Sequence, residues 1–259
     1  MAKKCPYALR RSVFALWGLG AIFLSSPANA AGLEVAPTTL QIEPSQNANG
    51  ITLNNSGALP LRAQVRVFEW TQKDNRDLLT PTTALTVSPP MLQIAPGGTQ
   101  LLRVIRTSPP VAEGQEAAYR LIIDELPPAE SPAPVNAEPT PPTKATTALT
   151  FLMRYSLPVF LGPEPHPTIG TQLAWTVEKT PKTWTFKLKN NAPTRAQIAD
   201  IEAITADDKR IKLANGLLGY ALAGQTMEWS VPAPVTQQRI VGYEALINRF
   251  TQALNVSSP

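Results

Sequence analysis

Leu61-Arg62-Ala63-Gln64-Val65-Arg66-Val67 alternates apolar and polar residues without a break. A period of two puts Leu61, Ala63, Val65 and Val67 on one face of an extended strand and the polar residues on the other. The pattern recurs along the chain. Tyr119, Leu121 and Ile123 alternate with Arg120 and Asp124, interrupted by Ile122, and Trp184, Phe186 and Leu188 alternate with Thr185, Lys187 and Lys189. Turn formers stand between such runs: Asn54-Asn-Ser-Gly57, Pro89-Pro90, Pro96-Gly-Gly98, Pro109-Pro110, Asn190-Asn191 and Asn215-Gly216. Short strands at this spacing predict antiparallel sandwiches rather than a parallel sheet with crossover helices. The 27 prolines among 259 residues argue against an all-helical bundle, because proline costs about 3 kcal/mol in a helix interior.

Two proline-rich breaks divide the chain. Residues 127–142 hold Pro127, Pro128, Pro132, Pro134, Pro139, Pro141 and Pro142; such a stretch cannot pair within a sheet and predicts an extended, mobile loop over 127–146. Gly162-Pro-Glu-Pro-His-Pro167 is a short stiff segment between two regions that each carry strand patterns. It divides the chain into a first domain over 31–163 and a second over 164–259.

The first 30 residues have a different character. Lys3, Lys4, Arg10 and Arg11 precede an apolar run from Ser12 to Leu24, and Ala28-Asn29-Ala30 ends the segment. Positive start, short apolar middle and small-x-small close are the plan of a cleaved secretory signal peptide, which predicts export into an oxidising compartment. Of the 23 Lys and Arg, four lie in this segment, against none of the 19 Asp and Glu, so residues 31–259 carry 19 charges of each sign. A balanced chain gives no electrostatic case for nucleic acid or an anionic membrane surface as partner. The single cysteine, Cys5, lies in the same segment, so the exported chain holds its fold without disulfides.

The residues of enzyme chemistry are sparse. The one histidine, His166, sits between two prolines in the connecting segment. No Gly-x-Ser-x-Gly elbow and no glycine-rich phosphate loop occurs. With one histidine and no cysteine after residue 30, zinc sites built on those ligands are excluded. The adjacent acids Asp124-Glu125 and Asp207-Asp208 read as solvated strand and turn residues rather than a glycosidase pair. The sequence therefore predicts no catalysis, no metal, no cofactor and no small-molecule substrate.

One stretch asks for a partner. In Ala148-Leu-Thr-Phe-Leu-Met-Arg-Tyr-Ser-Leu-Pro-Val-Phe-Leu161 the odd positions Leu149, Phe151, Met153, Tyr155, Leu157 and Val159 form one apolar row. An ordinary core strand fits this pattern, but its length exceeds the usual 5 to 6 residues. A long apolar strand on a sheet edge invites pairing, and the functional reading is a partner polypeptide added by strand augmentation.

Taken in order, several segments resemble the periplasmic chaperones of the fimbrial chaperone-usher pathway. They are Leu33-Glu-Val-Ala-Pro-Thr-Thr-Leu-Gln-Ile42, Ile51-Thr-Leu-Asn-Asn-Ser-Gly57, Val65-Arg-Val-Phe-Glu-Trp70, Val87-Ser-Pro-Pro90, Ile94-Ala-Pro-Gly-Gly98, Leu102-Arg-Val-Ile-Arg106 and Tyr119-Arg-Leu-Ile-Ile-Asp-Glu-Leu-Pro-Pro128. In the second half, Trp184-Thr-Phe-Lys-Leu-Lys-Asn-Asn191 and Gly219-Tyr-Ala-Leu-Ala-Gly-Gln225 are similar to the second domain of these proteins, and Tyr155-Ser-Leu-Pro-Val-Phe160 is most similar to their archaic branch. The resemblance implies two immunoglobulin-like sandwiches set as a boomerang, pilin subunits as partners, and delivery to an outer-membrane usher. It also implies that Leu149, Phe151 and Met153, with Tyr155 on the same row, are donated to a subunit lacking its own last strand. Many members hold the subunit's C-terminal carboxylate with two basic residues, but Thr39 and Pro158 stand at the matching positions here. Arg103, Arg106 and Arg154 are the substitutes we expect. The alternative class is a secreted two-domain β-sandwich binding module, carbohydrate-binding or adhesin-like, which requires exposed aromatics; Trp175, Trp184 and Trp229 are its candidates.

Overall fold

The alternating runs are strands in the computed structural model, which describes residues 32–127 and 151–257. The segment expected to be a signal peptide, most of the proline-rich stretch and Leu149 lie outside the described residues. Ten strands come first: β1 (Leu33–Ala36), β2 (Leu40–Ile42), β3 (Ala48–Asn55), β4 (Leu61–Lys73), β5 (Arg76–Pro81), β6 (Leu85–Ser88), β7 (Met91–Ile94), β8 (Thr99–Arg106), β9 (Ala117–Leu126) and β10 (Arg154–Leu161). Eight follow a single 3-10 turn at Ile169–Gln172: β11 (Leu173–Lys179), β12 (Thr183–Asn190), β13 (Ala196–Thr205), β14 (Arg210–Lys212), β15 (Leu217–Ala221), β16 (Thr226–Pro232), β17 (Ile240–Ile247) and β18 (Phe250–Ala253).

The first ten strands form two layers, a four-stranded sheet in the order β1-β3-β8-β6 and a six-stranded one in the order β2-β10-β9-β4-β5, with β7 also on β4. The inward residues that alternation predicts, including Ala63, Val65, Leu121 and Ile123, close with Leu53, Leu102 and Val159 into one core. The remaining strands form a second sandwich, β11-β12-β16 against β14-β13-β17-β18 with β15 on β13, around Trp175, Phe186, Ile198 and Ala245. The chain is all-β with two sandwiches, as the sequence predicts. A third, smaller cluster of Trp70, Phe160, Tyr220 and Leu222 joins residues of both sandwiches.

Two expectations need correction. Regular pairing of the long apolar stretch begins only at Arg154; Phe151, Leu152 and Met153 precede it, 72%, 47% and 50% exposed. An apolar row with no layer above it gains no packing from staying in the sheet. Asp124-Glu125 is not plain solvated surface either. The two side chains point to opposite faces, and Glu125 is 7% exposed on the inner one.

Candidate functional site

The candidate site is the edge of β10, and its form follows from hydrogen-bond phase. In an antiparallel pair, alternate residues turn their backbone N–H and C=O toward the partner. The Glu125 N–H donates to the Met153 carbonyl at 3.0 Å, and Arg154 pairs with Asp124 in register. Met153, Tyr155, Leu157 and Val159 therefore bond toward β9, while Arg154, Ser156, Pro158 and Phe160 turn their groups to the opposite edge. Part of that edge is covered. Strand β2 runs parallel to β10 over Leu40–Ile42, opposite Val159, Phe160 and Leu161, and the Gly162 N–H continues the ladder to the Ile42 carbonyl at 3.1 Å. Above it, Pro158 has no N–H to offer. The outward groups of Arg154 and Ser156 have no strand partner among the described residues.

The open edge leads directly into Phe151, Leu152 and Met153, exposed and apolar. A groove lined by Gln64, Arg66, Asp124, Glu125, Leu152, Met153 and Arg154 opens beside them. Asp124 accepts hydrogen bonds from Arg154 and, at 2.6 Å, from Arg66. Burial pushes its carboxyl up, but the hydrogen bonds and charges of the two arginines together outweigh burial and hold it below its ordinary value. Burial, and then the Glu125 charge, raise the Tyr155 phenol, so it stays protonated and donates.

The three arginines expected from sequence lie apart. Arg154 opens β10 beside the free edge. Arg103 and Arg106 are on β8 in the other layer, Arg103 on the face opposite the buried Leu102 and Val104. Arg106 donates to the Pro44 carbonyl at 3.2 Å and to Asn47 Oδ1 at 2.8 Å. Thr39 immediately precedes β2, one position from the Leu40–Val159 pair, and the buried Pro158 lies opposite Arg120.

Sequence reasoning missed Arg66, Arg120 and Glu125. The guanidinium of Arg120 stacks 3.7 Å above the Trp70 ring and 3.6 Å from Asp77, and burial lowers its pKa. The alternation already put Arg66 and Arg120 on the outer face; the register that sets Asp124 between Arg66 and Arg154 left no mark in the sequence. The aromatics a binding module requires are placed otherwise. Trp175 is 1% exposed in the second core, and Trp184 and Trp229 pack against it.

Residues 32–166 match the family model for the N-terminal domain of PapD, the pili and flagellar-assembly chaperones. The chain belongs to this family. No curated protein sequence matches it. Among solved structures, a chain of the CsuC-CsuE chaperone-tip adhesion subunit pre-assembly complex, from the archaic chaperone-usher Csu pili of Acinetobacter baumannii, aligns with a TM-score of 0.63 at 22% identity. That alignment covers 88% of this chain and 100% of the other. The CupB2 chaperone of Pseudomonas aeruginosa gives 0.56 at 17% identity, over 86% and 100%. The Salmonella enterica complex of SafA pilin with the SafB chaperone gives 0.58 at 16%, over 87% and 97%. At these identities the likeness establishes the fold, which the chaperone shares along both sandwiches.

Proposed function

We propose that the chaperone works in the periplasm, binds pilin-type fimbrial subunits by lending them the strand that begins in its donor segment, and delivers them to an outer-membrane usher. The observation that carries this reading is the open edge of β10 running into exposed Phe151 and Met153. A subunit lacking a strand offers what that edge lacks: backbone partners for Arg154 and Ser156, and an apolar interior for the donor row Leu149, Phe151, Met153 and Tyr155. Each large apolar side chain so buried contributes roughly 1.5–3 kcal/mol. We assign the domains as 31–163 and 164–259, with residues 1–30 removed on export. Of the arginines proposed to hold the subunit's terminal carboxylate, Arg154 adjoins the open edge, and Arg103 and Arg106 serve as comparisons.

The test is co-expression with a candidate pilin-like subunit. The wild type is expected to yield a one-to-one complex from the periplasm, and Phe151→Asp to yield none while its own thermal unfolding is unchanged. A Phe151→Asp variant that still carries the subunit would sink the donor assignment. Arg154→Ala is expected to weaken capture more than Arg103→Ala or Arg106→Ala; equal capture by all three removes arginine from the anchor.

A further inference from the structure

Glu125 is buried, yet among the described residues no cation pairs with it. It lies on β9 opposite Met153, with Ala63 on its other side, and is 7% exposed. Its neighbour Asp124 holds two arginines, whereas no Lys, Arg or His among the described residues forms an ion pair with Glu125. A buried carboxylate without a cation is costly unless its oxygens are hydrogen-bonded, and two donors serve it. The Met153 N–H donates to Oε2 at 3.2 Å, and the Tyr155 hydroxyl lies 3.5 Å from Oε1.

The first of these bonds is out of pattern. In a hydrogen-bonded antiparallel pair two residues exchange both N–H···O bonds. Glu125 gives its N–H to the Met153 carbonyl, but the Met153 N–H turns to the carboxylate instead of the Glu125 carbonyl. The side chain rather than the backbone carbonyl thus accepts at the last rung. Regular pairing accordingly starts one residue later, at Arg154.

We infer that Glu125 is a positioning residue: its carboxylate closes the β9–β10 ladder at Met153 and fixes where the donor segment leaves the sheet. The functional part rests on the reading of Phe151 and Met153 as donors. Glu125 holds Met153 twice, its backbone N–H on the Met153 carbonyl and its carboxylate on the Met153 N–H, so the side chains beyond it start from a fixed point rather than a frayed end. The cost of burying the carboxyl group is offset by these two hydrogen bonds.

Two measurements on the full chain separate this inference from the reading beneath it. Backbone amide exchange, followed without any partner, is expected to show the Met153 amide protected in the wild type and in Glu125→Gln, which keeps an acceptor oxygen. In Glu125→Leu its protection should fall at least about tenfold, with Leu121 and Ile123 unchanged. Glu125→Asp keeps the charge but shortens the reach, and should lose Met153 protection too; this variant carries the test if the leucine variant does not fold. Equal protection in wild type and Glu125→Asp overturns the inference. Co-purification with the pilin-like subunit should then fall for Glu125→Asp and hold for Glu125→Gln. Unchanged capture despite faster Met153 exchange overturns the functional role of the latch. Failure of the wild type to capture any subunit overturns the donor reading instead, and the exchange result still decides whether Glu125 fixes the segment.

Discussion

Glu116 and Arg195 meet from opposite sandwiches, their side chains 2% and 8% exposed. The Arg195 guanidinium pairs with Glu116, donates to Gln41 Oε1 at 3.1 Å, and lies 3.7 Å above the Phe160 ring. Burial is the largest influence on Glu116 and exceeds the attraction of Arg195, raising its pKa from 4.5 to about 7. Between those values the folded chain binds the proton more tightly than the unfolded chain, so this group makes stability fall as pH rises from about 4.5 to about 7 and level off above. The expected change is on the order of 3 kcal/mol at 1.36 kcal/mol per pKa unit. Urea unfolding across that range should show the slope in wild type and a flatter one in Glu116→Gln; parallel slopes would refute it. None of this was legible in the sequence, because Gln41, Glu116, Phe160 and Arg195 are scattered and no local pattern signals their convergence. Gly162 was legible only as a chain breaker. Its φ of +129° and the Gln115 carbonyl, 2.3 Å from where a Cβ would stand, show why glycine must follow β10.

Among the elements, burial decided what could be read. β12 and the first half of β4 bury alternate residues, so their alternation is written into the chain, whereas β4 changes its buried face by Trp70 and β9 also buries Ile122. β5 is exposed at every position and has no alternation to find. It exists because β4 turns back on itself through Asp74 and Asn75, both at positive φ, 51° and 58°, as a tight hairpin turn requires. The end of that hairpin is fastened to the second sandwich. Gln72, 5% exposed, donates from Nε2 to the Tyr220 carbonyl at 2.9 Å and accepts from the Leu222 N–H at 2.9 Å, so its amide acts as one more rung of backbone. Asn75 Oδ1 accepts from the Glu228 N–H at 2.7 Å. Gln72→Ala strands both backbone groups, at roughly 1–3 kcal/mol apiece. A loss of about 2–6 kcal/mol in urea unfolding is expected; a change under about 0.5 kcal/mol would mean water replaces the amide without cost. The open edge of β10 was legible as an apolar row, but its starting point depends on one bond from Met153 to a side chain on another strand.

At the scale of the whole molecule, the two cores share the cluster of Trp70, Phe160, Tyr220 and Leu222. Phe160 is fully buried there and belongs to the same strand as the open edge. Phe160→Ala should cost about 3–5 kcal/mol, in the range for buried aromatic truncation. If the cluster couples the cores, far-UV circular dichroism and tryptophan fluorescence will trace a single wild-type unfolding transition. In Phe160→Ala they should separate into two. Two transitions already present in the wild type would show the cores to be independent.

The six-stranded sheet ends at β5 on the side away from β10. A molecule with one edge seeking a strand and another offering one is a building block for head-to-tail growth, since such a contact repeats without closing. β5 carries Arg76 and Asp77 at its start and ends at Pro81, which has no N–H to lend. A second copy arriving with its own β10 finds charge at one end of that edge and a missing donor at the other. Both features work against a second copy pairing along β5.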